Sequence, residues 1–181
     1  MFLRFIITSI LLTLCSACNA KELETQIFLI PEGYVGELKM IYGVSSGEAG
    51  QYENEARVYE INSQGVHITQ LEFAWGKGTR DSFRFYYVDG SGNRTPILLS
   101  DLVRGEEMKR QVEDLNTYII DSSSGSIGSY PCDFDTKSFY VGSYKDILEG
   151  KGVISITDYL IENPDPCIKA SASQSPEGCS C

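Results

Sequence analysis

The stretch "IFLIPEGYVGELKMIYG", residues 27–43, decides the fold class of this chain. Ile27 to Ile30 form an apolar burst, Pro31 and Gly33 interrupt it, and Glu37 and Lys39 then alternate with Leu38, Met40 and Tyr42. A period of two puts the apolar set on one face and the charges on the other, the mark of a half-buried strand. Proline has no N–H to give a sheet and glycine accepts positive φ, so Pro31 and Gly33 punctuate between two strands. Gly36 lets the second strand open with a bend or bulge. The segment is architecture before it is chemistry.

The same alternation recurs downstream. It runs through "ARVYEI" (56–61), "GVHITQL" (65–71), "SFRFYYVD" (82–89) and "RTPILL" (94–99). It continues in "TYIID" (117–121), "SFYVGS" (138–143) and "GVISITDYLI" (152–161). Asn62-Ser63-Gln64-Gly65 reads as a hairpin turn because Asn and Gly tolerate positive φ, and 89–93, "DGSGN", turns the chain again. Strands spaced by Gly-rich turns predict an all-β fold, an antiparallel β-sandwich. Charges such as Lys39 and Arg84 blunt its edges. At most one short helix is expected, within 100–115, where Ser100 or Asp101 caps it and Met108, Val112 and Leu115 share a face. Gly105 weakens it.

The first residues, "MFLRFIITSILLTLCSACNA", read as a targeting segment outside the fold. Arg4 gives a positive start, 5–14 a charge-free apolar run, and small residues follow, which is the layout of a secretory signal. The run is too short to span a hydrocarbon core of ~30 Å. Cleavage after Ala20 suits ordinary signal peptidase. Alternatively "LCSAC" resembles the lipobox of bacterial lipoproteins, with Ser16 and Ala17 before a Cys18 that is lipidated and becomes the mature N-terminus. Cys15 departs from that pattern. Lipidation at Cys18 is the preferred reading, and the anchor then follows from ~0.8 kcal/mol per buried methylene. The expected organisation is a leader over 1–20 (1–17 for a lipoprotein), a β-sandwich domain over 21–165 and a tail over 166–181. The expected location is extracytoplasmic: membrane-anchored and periplasm-facing or at the surface, or soluble and periplasmic or secreted if cleavage follows Ala20.

The chain carries 15 Lys and Arg against 25 Asp and Glu, a net charge of −10. Acidity of this size argues against nucleic acid, which needs a basic face, and against peripheral binding to anionic lipid. It serves solubility. Beyond the leader stand Cys132, Cys167, Cys179 and Cys181, an even number that in an exported chain implies two disulfides. Cys179 and Cys181 flank a single residue, so each is expected to pair with Cys132 or Cys167, pinning the Ser/Pro/Gly tail. A four-cysteine zinc site wants C-x₂₋₄-C pairs, which are absent here. No metal or other cofactor is expected.

The landmarks "IPEGYVG", "YEINSQGV" and "FYYVDGSG" resemble those of an uncharacterised bacterial domain family of small exported or lipoprotein-like chains. The pattern is IPxGYxG, then Y-x-I-x-x-x-G-V, then F-Y-Y-V-D before a Gly-containing hairpin, and it covers about 26–99. The layout is similar to the transthyretin-like or Ig-like β-sandwiches that serve as extracellular adaptor or stalk domains. The resemblance implies fold and location and carries no activity.

The chemical candidates are sparse. His67 is the only histidine, which excludes a multi-His metal site, and it reads as a solvated strand residue. "GSIGS" (125–129) is the nearest approach to a nucleophile elbow but reads as a Ser/Gly loop. "DFDTK" (133–137) resembles the D-x-D-x-T motif of haloacid-dehalogenase-type phosphotransferases, yet the helices of a doubly wound fold are missing. Asp89, Ser91 and Asn93 have calcium-loop spacing, but Arg94 stands where Gly is required. A hairpin turn accounts for the same residues.

What remains is recognition. Outward Tyr86 with Arg84 on the same face, and the loop around Tyr52, are the expected contact surfaces, since Tyr and Arg carry much of the energy at interfaces. The expected function is therefore a lipid-anchored, non-catalytic interaction or accessory domain of the envelope with a protein partner. The alternatives are a carboxylate-dependent hydrolase of envelope polymers acting through Asp133 and Asp135, and a sandwich that binds a small ligand in its mouth.

Overall fold

The computed structural model describes residues 24–73, 82–101, 106–129 and 132–170, apart from the side chains of residues 129, 132, 169 and 170. The strands are β1 (Gln26–Pro31), β2 (Gly36–Ile41), β3 (Gln51–Glu53), β4 (Ala56–Glu60), β5 (Val66–Ile68), β6 (Phe83–Val88), β7 (Arg94–Leu99), β8 (Tyr118–Ser129) and β9 (Cys132–Gly142). They lie in the order β3-β4-β1-β6-β7-β8-β9-β2-β5. Only Leu98↔Tyr118 and Leu99↔Ile119 join β7 to β8, so the nine strands act as two halves. The halves pack face to face. Phe28 of β1 stacks on Phe85 at 4.7 Å and meets Phe139 of β9 edge-on at 5.2 Å. Ile30, Tyr59 and Ile97 from one half and Leu38, Met40, Ile119 and Val141 from the other complete the core. Each such side chain contributes ~1.5–3 kcal/mol on burial.

The fold is all-β and sandwich-like, as the alternation predicts, but the pairing is mixed rather than antiparallel. β1–β4, β1–β6, β2–β5 and β7–β8 are parallel. The cause lies in the turns. β1 and β2 follow one another yet belong to opposite halves, so residues 32–35 cross between halves instead of closing a hairpin. Residues 62–65 do the same between β4 and β5. There Asn62 Oδ1 accepts from Gln64 N at 3.0 Å and Val66 N at 2.9 Å, so the turn is as expected and the hairpin is not. Residues 89–93 do close a hairpin, β6 to β7.

Helices are the second correction: among the described residues four stand where at most one was expected. α1 (Glu106–Arg110) falls inside the expected helical segment and buries Met108. α2 (Tyr144–Leu148) is capped by Ser143 in a reciprocal box with Asp146. The expected strand over 152–161 is a loop followed by α3 (Ile156–Glu162), started by Ser155 accepting from Asp158 N at 3.3 Å. α4 (Pro166–Ala170) follows.

These helices cover the outer face of one half. Met108, Tyr144 and Ile147 pack on Ile120 and Tyr140, and Ile156, Leu160, Cys167 and Ile168 pack around Ile41 and Phe134. Residues 166–170 are thus docked on the sandwich, and 171–181 lie outside the described residues. The outer face of the other half holds its own small cluster of Ile27, Ala56 and Val58, with Leu29 and Tyr86 against it. Among the described residues no helix is long and apolar enough to cross a membrane.

Candidate functional site

The residues of the IPEGYVG landmark are consumed by structure. Tyr34 Oη donates to Glu37 O at 2.5 Å, and Tyr87 Oη, from the third landmark, donates to Tyr34 O at 2.6 Å. Gly65, from the second, has φ +80°, and a Cβ there would lie 1.9 Å from Tyr34 Oη. Three distant landmarks therefore form one interlocked node at the crossing between halves. Burial, helped by Glu37 and then Tyr140, pushes the Tyr34 phenol up to about 12.

Beside this node Lys39 Nζ lies 2.7 Å from Glu37 Oε1 and donates to Ser138 Oγ at 3.1 Å. A Ser–Lys nucleophile needs a neutral amine. Here the amine is engaged by Glu37, and Ser138 is buried. The trio is a structural seam, further tied by Ile154 N donating to Glu37 Oε2 at 3.1 Å.

Register decides the expected contact surfaces. Arg84 stands beside Ile27 and Tyr86 beside Leu29, so both project from the outer face that no described helix covers. Arg84 is exposed and Tyr86 half-buried. Leu98, 70% exposed, lies one residue past the Phe85–Ile97 pair, and Arg94 on the same strand pairs with Glu53. Tyr52 is 57% exposed but pairs with Arg57, whose side points inward. The fold brings Arg84 and Tyr86 together and leaves Tyr52 on the opposite side.

His67 corrects the expectation of a solvated residue. Opposite inward Met40, it is 4% exposed, with Nδ1 2.8 Å from Glu60 O and its ring edge-on to Tyr59. "GSIGS" is part of β8, not a loop, so no elbow forms there. Asp133 and Asp135 lie within the antiparallel β8–β9 pair, opposite Gly128 and Ser126, rather than at the end of a parallel strand. Asp89 behaves as a turn residue. Its Oδ1 accepts from Ser91 N at 2.8 Å and Asn93 N at 2.9 Å, and Oδ2 from Asn93 Nδ2 at 2.8 Å. Those bonds, Asn93's first, hold its carboxyl below the usual range. Among the described residues no group of three or more His, Cys, Asp and Glu is placed to hold a metal ion.

Cys167 is buried beside Ile168, with Ser45 Oγ 3.2 Å from its sulfur, and Asp165 Oδ1 starts α4 by accepting from Cys167 N at 2.9 Å. Cys132 opens β9, with its side chain outside the description. Cys18, Cys179 and Cys181 lie outside the described residues.

One cluster escaped the sequence reading. Tyr42, after β2, and Tyr59, on β4, meet in the interior with ring centroids 6.0 Å apart at 88°. Phe73 is 4.9 Å from Tyr42. Among the described residues Tyr42 Oη is buried without a hydrogen bond, and the buried Tyr59 Oη has the Arg57 guanidinium as its partner. Arg57 beside them has Nε 2.7 Å from Glu24 Oε2 and donates from Nη1 to Glu72 O at 2.7 Å. The available signal was tyrosine, not phenylalanine, at two inward positions: a buried phenol brings a hydroxyl that wants a partner.

Residues 22–145 match the model of a family of unknown function, DUF6843, and the chain belongs to that family. No curated protein matches it. A 2.75 Å crystal structure of a candidate lipoprotein from Bacillus anthracis is similar, with a TM-score of 0.52 at 21% identity over 76% of this chain and 92% of that one. At that identity the likeness is one of fold.

Proposed function

We propose that this family member is an exported envelope protein, tethered by lipid at Cys18, that acts without catalysis by capturing a protein partner on the outer face around Arg84 and Tyr86. The observation that carries the reading is the asymmetry of cover. Helices bury the outer face of one half, whereas the other presents half-buried Tyr86 and Leu29 beside exposed Arg84 and Leu98. An aromatic flanked by a guanidinium and aliphatics is the composition of an interface centre. The similar fold of a candidate lipoprotein supports the tether.

Two disulfides among Cys132, Cys167, Cys179 and Cys181 belong to the same proposal. In support, Cys167 is buried within the described fold.

The test is a photo-crosslinking residue placed at Tyr86 in cells, with the same residue at Asp133 as control. A discrete adduct at Tyr86, absent at Asp133 and lost on Arg84→Ala, is expected. Equal labelling at both positions would remove this face from consideration, and hydrolysis of an envelope polymer abolished by Asp133→Ala with Asp135→Ala would replace binding with catalysis.

A further inference from the structure

The strand edges of this fold differ in how they are protected. β3 has three residues and ends in Glu53. β5 is equally short, and its outer side carries Glu48, bridged to Thr69 with Glu48 N donating to Ile68 O at 2.8 Å. The part of β7 that lies before its pairing with β8 holds Arg94 and Pro96, a charge and a residue without an N–H. β8 has no such guard. β7 pairs with it only as far as Ile119, and among the described residues no strand follows on that side. A bulge lies between Asp121 and Ser123, and Gly128 has φ +107°. Between these limits, residues 123–127 direct every second N–H and C=O away from β9. Residues 121–126 are all exposed, so neither face of the ribbon is covered there.

Gly125 stands at the centre of this edge, and the fold does not call for it. Its φ lies outside the left-handed region, and a Cβ there would meet only Thr136 Oγ1, at 3.7 Å. Glycine inside a strand is destabilising relative to alanine, and it suits a place where another backbone approaches closely. The identity of that backbone follows from charge and side chains. The chain has a net charge of −10, yet no charged residue stands between Asp121 and Asp133. Two copies can therefore meet here without opposing their acids. A foreign strand is selected by pockets for its alternate side chains, and the serines and glycine of this edge build none.

We propose that the protein pairs with a second copy of itself along this edge, β8 against β8 in antiparallel order, about a twofold axis at Gly125. Ser124 then opposes the partner's Ser126, and Ser123 the partner's Ile127. The two β8–β9 ribbons become one continuous sheet through an isologous contact that closes on itself. The inference uses the β8 edge alone and does not depend on the Arg84–Tyr86 face.

The test is sedimentation of the mature protein over a series of concentrations, in detergent with micelles in large excess. A monomer–dimer equilibrium is expected, with amide exchange at residues 123–127 slowed in the dimer. Raising the salt from about 0.01 M to about 0.5 M should tighten it several-fold, because screening relieves the repulsion of two acidic copies. Gly125→Val should raise the melting temperature of the monomer and weaken the dimer by about tenfold. Gly33→Ala, altered in open space at a turn, should lower the melting temperature and leave the dimer unchanged. The proposal is overturned by a monomer at every concentration, by a dimer without protection in β8, or by a dimer that tightens as salt is lowered. It is equally overturned by wild-type dimerisation of Gly125→Val, or by a lowered melting temperature in that variant.

Discussion

Arg94 meets Glu53 in two parallel hydrogen bonds, Nη1 to Oε1 at 3.0 Å and Nη2 to Oε2 at 2.8 Å, although their strands lie at opposite edges of one half. Glu53 pairs with Ala56 at the start of β4, and Arg94 with Val88 at the end of β6. In a flat sheet four spacings of ~4.8 Å would separate those strands, beyond the reach of the two side chains together. The half must therefore curl around its outer face. That curl explains how Ile27, Ala56 and Val58 are buried where no described helix covers them.

Glu53→Gln should loosen this curl without unfolding the protein. The pair is half-exposed, so the loss of stability is small and is screened away in about 1 M salt. Arg94 holds the Glu53 carboxyl below its usual range. The pair's contribution is thus present above the ordinary carboxylate pKa and fades as pH falls through the lowered folded value. Hydrogen exchange should rise at β3 and leave β1 unchanged. Faster exchange at β1 would mean that the ion pair supports the whole half.

Two glycines at the crossings separate conformational strain from collision. Gly33 has φ +75° with open space around it, whereas Gly65 has φ +80° with Tyr34 Oη in the way of any side chain. Gly33→Ala should cost about 1 kcal/mol and Gly65→Ala about 3 kcal/mol or more, read by denaturant unfolding. Equal effects would show that the Tyr34 contact yields easily.

Alkali should unfold the protein in step with buried tyrosines. Burial raises Tyr34 and Tyr59 from about 10 unfolded to about 12 folded. Because the folded state keeps its protons longer, the associated stability is complete below pH 10 and disappears as pH rises through 12. A late fraction of the phenol absorbance, beyond that of the exposed tyrosines, should therefore appear together with loss of far-ultraviolet dichroism. Complete phenol ionisation before unfolding would contradict the burial of these rings.

The covalent chemistry is tested on the unprocessed and mature chains. A fatty-acid probe should label the wild type and not Cys18→Ala, and a mature N-terminus at Lys21 would rule the anchor out. Alkylation of the unfolded, unreduced mature protein should find no free thiol among Cys132, Cys167, Cys179 and Cys181.

Most strands were legible because they carry their alternation locally, as was the shared direction of Arg84 and Tyr86, whereas β3 and the parts of β8 and β9 beyond 121 and before 138 lack that alternation and were not. Partner choice was not. The turns at 32–35 and 62–65 have hairpin residues, and nothing local tells a turn that closes a hairpin from one that crosses between halves. Residues 152–161 misled because Ile154 and Ile156 mimic a strand, while the signals that prevailed were the Ser155 cap and the spacing of Ile156 and Leu160. The direction of Tyr52 was not legible, since it depends on the pairing of Tyr52 with Arg57. The Tyr42–Tyr59 pair was hidden because an inward tyrosine counts as apolar until its hydroxyl is followed.

The crossings also set a timetable. In register, Gln26 of β1 faces Arg57 and Phe83, and Ile41 of β2 faces Thr136 near the end of the fold. A chain that emerges from its N-terminus gives β1 and β2 one neighbour each soon afterwards, β4 and β5, and leaves the other edge of each strand open until β6 and β9 follow. Long-range pairing of this kind folds slowly and leaves apolar strand edges open to aggregation meanwhile. One edge of β1 and one of β2 therefore wait for β6 and β9. The last strands out are the ones that make the first permanent.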